Sequence, residues 1–119
     1  MSKLAKQVGA KGEALVATFL MKRGASILDR NWRIKEGEID VVAELDGLLL
    51  FVEVKSRTSL EFGHPLEAIN ADKALRLQRL ALAWLVTHNK FGAEYRIDAA
   101  AVLFNETLNP SIEYREGVL

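Results

Sequence analysis

The chain has 119 residues, half of them hydrophobic and 27% charged, which suits one globular domain (1–119) with a single core. Sixteen Lys and Arg balance sixteen Asp and Glu, so nucleic-acid binding must rest on local basic patches. Cysteine is absent, which excludes disulfides, thiolate metal sites and cysteine nucleophiles. The apolar run 14–21 is too short for a membrane span, and Lys22 and Arg23 follow it directly, so we expect a cytoplasmic protein.

The first predicted element is a helix from about Lys11 to Arg23, which Gly24 ends. We expect the residues before it, which include Gly9, to be loose. Glu13 lies at the edge of the apolar stripe of this helix. Its carboxylate faces either a cleft beside the core or solvent.

Three strands follow, at 25–34, 38–45 and 48–55. Asp46-Gly47, between the second and third strands, is a strong signal for a two-residue hairpin turn. Because short turns join these three strands, neighbouring strands must be antiparallel.

The second half of the chain begins with a loop at 56–66 and a helix from about Asn70 or Asp72 to His88. The predicted buried face of this helix consists of Leu77, Leu80, Ala81, Leu82, Trp84 and Leu85. A fourth strand at 93–104 is broken by Asn109-Pro110 from a last strand at 111–115. The return through the long helix permits a parallel neighbour, so we predict a mixed sheet flanked by helices, an α/β sandwich.

The predicted hairpin carries charges within apolar strands. If the turn has two residues, Asp40 lies opposite Glu53 and Glu38 lies opposite Lys55, with all four on one side of the sheet. Opposed β-carbons are about 4.5–5.5 Å apart, so the two carboxylates repel unless a cation lies between them or they share a proton.

This arrangement suits a hard divalent cation, because Mg²⁺ binds oxygen ligands and is often held by one or two carboxylates. Lys55, two residues after Glu53, can stabilise charge on a phosphate or help to position and deprotonate a water. The alternative is a solvated face with a weak Glu38–Lys55 ion pair. Apolar residues on both faces of the hairpin favour a covered sheet and therefore a functional site. These residues are Val41, Val42, Leu50, Val52 and Val54.

The whole pattern resembles the PD-(D/E)XK nuclease superfamily, and most closely its YraN-type family, which is related to Holliday-junction resolvases. The resemblance extends over nearly the whole chain. It rests on Gly12-Glu13, RNWR (30–33), GEID (37–40), FVEVKSR (51–57), Phe62-Gly63, Pro65, Lys73, Arg96 and Asp98. It implies a restriction-endonuclease-like three-layer sandwich with the order αβββαββ.

The resemblance also implies the site roles. Asp40 and Glu53 would bind Mg²⁺ or Mn²⁺, with the Val54 carbonyl as a further ligand, and Lys55 would be the catalytic lysine. Glu13 would bind the metal or lie just outside its ligands. The superfamily's proline before the aspartate is Ile39 here, and the chemistry does not require it.

The implied function is a metal-dependent endonuclease that hydrolyses nucleic acid, with DNA, including branched or structured DNA, as the expected substrate. A homodimer would carry two active sites, one for each nucleic-acid strand to be cut. The alternative is a nucleic-acid-binding or partner-binding module that keeps the nuclease fold with little or no turnover.

Further residues have weaker signals. Arg57, Lys73 and Arg76 are candidates for a phosphate-binding rim, with a solvated helix face as an equal alternative for the two helical residues. Arg33 is a weaker candidate for a phosphate contact. Glu38 is either the ion-pair partner of Lys55 or part of the acidic pocket.

The remaining residues of interest have mainly structural interpretations. Arg96 and Asp98 share one face of the fourth strand, which favours a structural ion pair over catalysis. Trp32 and Trp84 are expected in the core or at a dimer contact. We expect His64 to be a surface residue; the alternative is a role in water activation or substrate contact.

Overall fold

A computed structural model describes residues 3–61, 63–104 and 110–119 of the chain. Its elements are α1 (Lys3–Lys22), β1 (Ser26–Ile34), β2 (Gly37–Leu45), β3 (Leu48–Arg57), a 3₁₀ helix (Pro65–Ala68), α2 (Ala71–Thr87), β4 (Tyr95–Leu103) and β5 (Ser111–Arg115). The predicted order of one helix, three strands, one helix and two strands is confirmed. Phe62 and Asn109, named in the sequence analysis, lie outside the described residues.

The five strands form one mixed sheet in the order β1-β2-β3-β4-β5. β1, β2 and β3 are antiparallel neighbours because short turns join them, and β5 is antiparallel to β4. β4 lies parallel to β3, since the chain crosses over through α2 before it re-enters the sheet. The predicted mixed sheet is confirmed.

The helices cover opposite faces of this sheet. Val16 and Leu20 of α1 pack on one face against Val41, Val52 and Ala100. α2 packs on the other face, and its residues there are Leu77, Leu80, Ala81, Trp84 and Leu85, beside Ile39, Val42, Phe51 and Ile97 of the sheet. The fold is therefore a three-layer α/β sandwich. Leu82, expected on the buried face of α2, is 39% exposed, so that expectation is wrong.

α1 begins about eight residues earlier than the sequence pattern predicted. The expectation treated the glycines before Glu13 as signs of a loose segment, because glycine disfavours a helix interior. Gly12 is instead buried against Ser56, where an added β-carbon would lie only 1.8 Å from the Ser56 hydroxyl oxygen. Close packing of α1 on β3 thus offsets the low helix propensity. Within the described ranges, no helix is both long and apolar enough to cross a bilayer.

Candidate functional site

The hairpin of β2 and β3 determines which strand residues meet. Asp46 and Gly47 both have positive φ, 51° and 82°, which the primed hairpin turns require. The ladder runs from Leu45–Leu48 to Val41–Val52 in the predicted register. It ends there, immediately before Asp40 and Glu53. The register is therefore confirmed, but the charged pairs lie beyond the ladder, where β2 stays with β1 and β3 stays with β4.

β2 reverses its faces at Asp40. Val41 packs on the α1 side of the sheet and Ile39 packs on the α2 side, although residues two apart on a regular strand share a face. Trp32, the partner of Ile39 on β1, also packs on the α2 side. Asn31 lies opposite Asp40 and has φ 53°, a left-handed conformation that Asn tolerates better than most residues. At this reversal β2 and β3 separate, and their ladder ends at Val41–Val52.

The reversal corrects one prediction, because Glu38 does not share a face with Glu53 and Lys55. Glu38 lies on the α1 side, where its carboxylate accepts two hydrogen bonds from Arg33, at 2.8 and 3.2 Å. Lys55 lies instead beside Glu53, with the ammonium nitrogen 3.7 Å from Oε1. The weak Glu38–Lys55 pair of the solvated-face alternative does not form. Glu38 pairs with Arg33 and Lys55 pairs with Glu53 instead.

Asp40 and Glu53 are buried, at 6% and 8% exposure, and line one cleft. Asp40 Oδ2 accepts a hydrogen bond of 2.8 Å from the Val54 amide, which fills the place of the missing ladder bond. Burial, followed by the nearby charge of Glu53, raises the pKa of Asp40 to about 8. Without a cation, Asp40 therefore favours its protonated form at neutral pH.

Two lysines converge on Glu53. Lys73, near the start of α2, has its ammonium nitrogen 3.8 Å from the same Oε1 atom that Lys55 approaches. Burial lowers the pKa of Lys55, and the neighbouring Lys73 ammonium lowers it further while Glu53 opposes the shift. Lys73, expected at a rim, therefore contacts Glu53, although it does not line the cleft itself. Arg76 is exposed and does not line the cleft.

Glu13 reaches the cleft from α1. The Asn31 amide, in its donating orientation, lies 2.9 and 3.1 Å from the two Glu13 oxygens. Burial is the main cause that raises the pKa of Glu13, and the charge of Glu38 adds to it. Sequence reasoning assigned no role to Asn31, although this residue lies in the RNWR stretch (30–33) that carries the family resemblance. Lys6, which also lines the cleft, was missed because its segment was expected to be loose.

The cleft has a volume of about 500 Å³. One wall is formed by α1, another by Asn31, Arg33 and Glu38, and the floor by Asp40 and the 53–57 segment of β3. Arg33 and Arg57, two predicted phosphate contacts, both border it.

Side chains supply only part of a ligand set for a hard cation such as Mg²⁺. Among residues 3–61, 63–104 and 110–119, no three His, Asp or Glu side chains lie close enough together to hold a metal ion. Asp40 and Glu53 supply two carboxylates. The amide and carbonyl of one strand residue point to the same edge, so the Val54 carbonyl faces the gap that β2 has left. Two carboxylates and one carbonyl suit Mg²⁺, which usually keeps several waters.

The other predicted residues have structural positions. Asp98 is fully buried and accepts hydrogen bonds from Arg96, from the Tyr114 hydroxyl and from the Gly117 amide. The predicted structural ion pair is thus confirmed. Trp84 is buried in the core, and Trp32 packs against the same core cluster. His64 lies 3.0 Å from a Glu113 oxygen, away from the cleft.

These features define an α/β sandwich whose sheet divides around a buried pair of carboxylates. The profile of a family described as "Uncharacterised protein family UPF0102" matches residues 12–102. UPF0102 proteins of Paenarthrobacter aurescens (strain TC1) and Leifsonia xyli subsp. xyli (strain CTCB07) are 45% and 41% identical to the chain. These matches cover 93% and 95% of the chain, and 92% and 96% of the relatives. The chain belongs to the UPF0102 family, which is the YraN-type family of the sequence analysis.

Proposed function

We propose that this protein is a divalent-metal-dependent endonuclease that hydrolyses phosphodiester bonds of nucleic acid, with DNA as its substrate. The observation that carries the proposal is the pair of buried carboxylates, Asp40 and Glu53, at the gap between β2 and β3. Buried carboxylates that face one another destabilise a fold unless a proton or cation neutralises them.

In this proposal Asp40, Glu53 and the Val54 carbonyl hold Mg²⁺ or Mn²⁺. Such an ion supplies Lewis-acid charge to a phosphate and favours deprotonation of an attacking water. Lys55 and Lys73 place two ammonium groups beside Glu53, where they stabilise negative charge that develops on the phosphate oxygens. Burial strengthens these electrostatic interactions, because water screens them less inside the cleft.

Glu13 acts in this proposal at the edge of the site. Its carboxylate is held by Asn31, and no cluster of three carboxylates forms in the described part of the chain. We therefore assign it to holding water beside the metal in preference to binding the metal directly.

Arg57 borders the cleft and is the residue we assign to contact with a neighbouring phosphate. Arg33 also borders the cleft, but its charge is largely balanced by Glu38, which reduces its attraction for phosphate. Branched or structured DNA is the first substrate class to test, by analogy with the related resolvases. A homodimer would allow two strands to be cut.

The second candidate is a binding module with the same fold and little turnover. One observation favours it: the raised pKa of Asp40 lets the fold keep both carboxyl groups with a proton in place of a metal. In that case the cleft binds nucleic acid or a protein partner and Lys55 serves only to attract phosphate.

Cleavage assays separate the two candidates. Pure protein is incubated with Mg²⁺ or Mn²⁺ and labelled single-stranded, duplex, flap and four-way-junction DNA, and RNA, beside Asp40→Asn, Lys55→Ala and the distant control Glu44→Gln. The nuclease proposal expects cleavage by the parent and by Glu44→Gln, and a loss of about a hundredfold or more in the two site variants. Equal cleavage by all four proteins would indicate a contaminant and overturn the assignment. Binding without cleavage by the parent would support the binding module.

A further inference from the structure

A second cavity adjoins the catalytic cleft. It has a volume of about 290 Å³ and lies between the first turns of α1 and the segment that follows Lys55. The two cavities share Ala5, Ser56 and Arg57, so they form one continuous path along the end of β3. Arg57, the assigned phosphate contact, stands at the junction between them.

The walls of this second cavity differ in chemistry. Leu4 and Val8 of α1 present aliphatic surface on one side. Thr58 and Ser59, on the opposite side, supply hydroxyl groups, and Arg57 supplies a guanidinium. A nucleotide has matching parts, because its base has an apolar face, its sugar and base edges form hydrogen bonds, and its phosphate is anionic.

We propose that the second cavity binds one unpaired nucleotide of the strand that is cut, next to the phosphate at Asp40 and Glu53. This inference rests on the proposed nuclease function. The cavity, of about 290 Å³, is of a size for one nucleotide and is too small for a base pair with both of its backbones. A base that enters it must therefore leave the stack, or be single-stranded already.

The proposal names a substrate class. The enzyme acts on DNA in which the strand next to the scissile phosphate is unpaired, such as an overhang, a flap or the opened centre of a branch. The aliphatic wall offers no hydrogen bonds to base edges and no aromatic stacking surface. We therefore expect the cavity to distinguish unpaired from paired nucleotides with little preference for base sequence.

The test compares binding of two probes, a fluorescent overhang duplex and a blunt duplex of the same length, both with nuclease-resistant phosphorothioate linkages and in Ca²⁺ buffer. Val8→Asp places a negative charge in the cavity. Leu75→Asp is the matched control, since Leu75 is an exposed aliphatic residue near the start of α2 and away from both cavities. Ser59→Asp, in an exposed loop where misfolding is not expected, is the second variant, with exposed Ser26→Asp as its control.

We expect the parent and both controls to bind the overhang about tenfold more tightly than the blunt duplex. Val8→Asp and Ser59→Asp should lose that preference through charge repulsion. Equal binding of the two probes by the parent, or an unchanged preference in Ser59→Asp, would overturn the inference. Mn²⁺ cleavage assays on cleavable probes distinguish the two failures. If the parent cleaves blunt duplex as fast as overhang duplex, the unpaired-nucleotide site is wrong and the nuclease proposal stands. If the parent prefers to bind the overhang but cleaves neither probe, the nuclease proposal is wrong.

Discussion

Two buried aspartates on the central strands have opposite surroundings. Asp98 on β4 is fully buried, and it is neutralised by Arg96 and further bonded to the Tyr114 hydroxyl and the Gly117 amide. Asp40 on β2 is 6% exposed, accepts a hydrogen bond from the Val54 amide, and faces another carboxylate. The first environment completes the hydrogen bonding of a structural group. The second leaves a carboxylate that a cation would satisfy, which is why we propose a functional site there.

The largest expected effect concerns stability. Asp98→Ala should lower the free energy of unfolding by about 3–5 kcal/mol, because it leaves Arg96 without its buried partner and removes the bonds to β5 and Gly117. Asp40→Asn should not lower it in EDTA, since it replaces a carboxyl group that already favours its neutral form in the folded protein and removes the cost of binding a proton above about pH 4. Urea titration in EDTA measures both. A larger loss in Asp40→Asn than in Asp98→Ala would reverse the comparison.

The close contact of α1 with β3 lies beside the cleft that contains Asp40. Gly12→Ala should lower the free energy of unfolding by about 1–3 kcal/mol and reduce cleavage, because the new methyl group meets the Ser56 hydroxyl and shifts α1 with Glu13. Adding Ser56→Ala removes that hydroxyl and should restore most of the stability, since the remaining β-carbon contact is 3.1 Å. Gly9→Ala is the control, because open space surrounds Gly9. No recovery in the double variant would contradict this packing.

The pH dependence of stability should report on the burial of Asp40. The folded-state pKa of Asp40, about 8, lies above its unfolded value, so between about pH 4 and 8 the folded protein binds a proton that the unfolded chain has lost. Stability of the metal-free protein should therefore fall as pH rises, by up to about 1.4 kcal/mol per pH unit. Thermal unfolding across this range in EDTA measures the slope. Asp40→Asn should flatten the slope, and a slope equal to that of the parent would show that Asp40 is not its source.

The smallest effect concerns the kink at Asn31. Asn31→Ala should lower the free energy of unfolding by about 1 kcal/mol, because alanine disfavours the left-handed conformation, whereas Asn31→Gly should be close to neutral. Both variants lack the amide that holds Glu13, so both should lose cleavage to a similar extent. Urea titration and initial cleavage rates provide the two readouts. Full activity in Asn31→Gly would show that the backbone kink alone matters.

The hairpin register could be predicted from the sequence because Asp46-Gly47 is a local signal that determines the turn. That register then predicted that Asp40 and Glu53 lie close together on neighbouring strands. The placement of Glu38 could not be predicted in the same way, because alternation assumes a regular strand and the reversal at Asp40 depends on contacts with two helices. Lys73 and Asn31 come from elements outside the β2–β3 hairpin, so their approach to Glu53 and Glu13 depends on tertiary packing.

The most direct test of the central claim is the location of a bound cation. Crystals of the protein soaked in Mn²⁺ should give one anomalous-scattering peak within coordination distance of Asp40, Glu53 and the Val54 carbonyl, and Asp40→Asn crystals should lack it. A parent crystal with no peak at these three groups under saturating Mn²⁺ would contradict the proposed metal site.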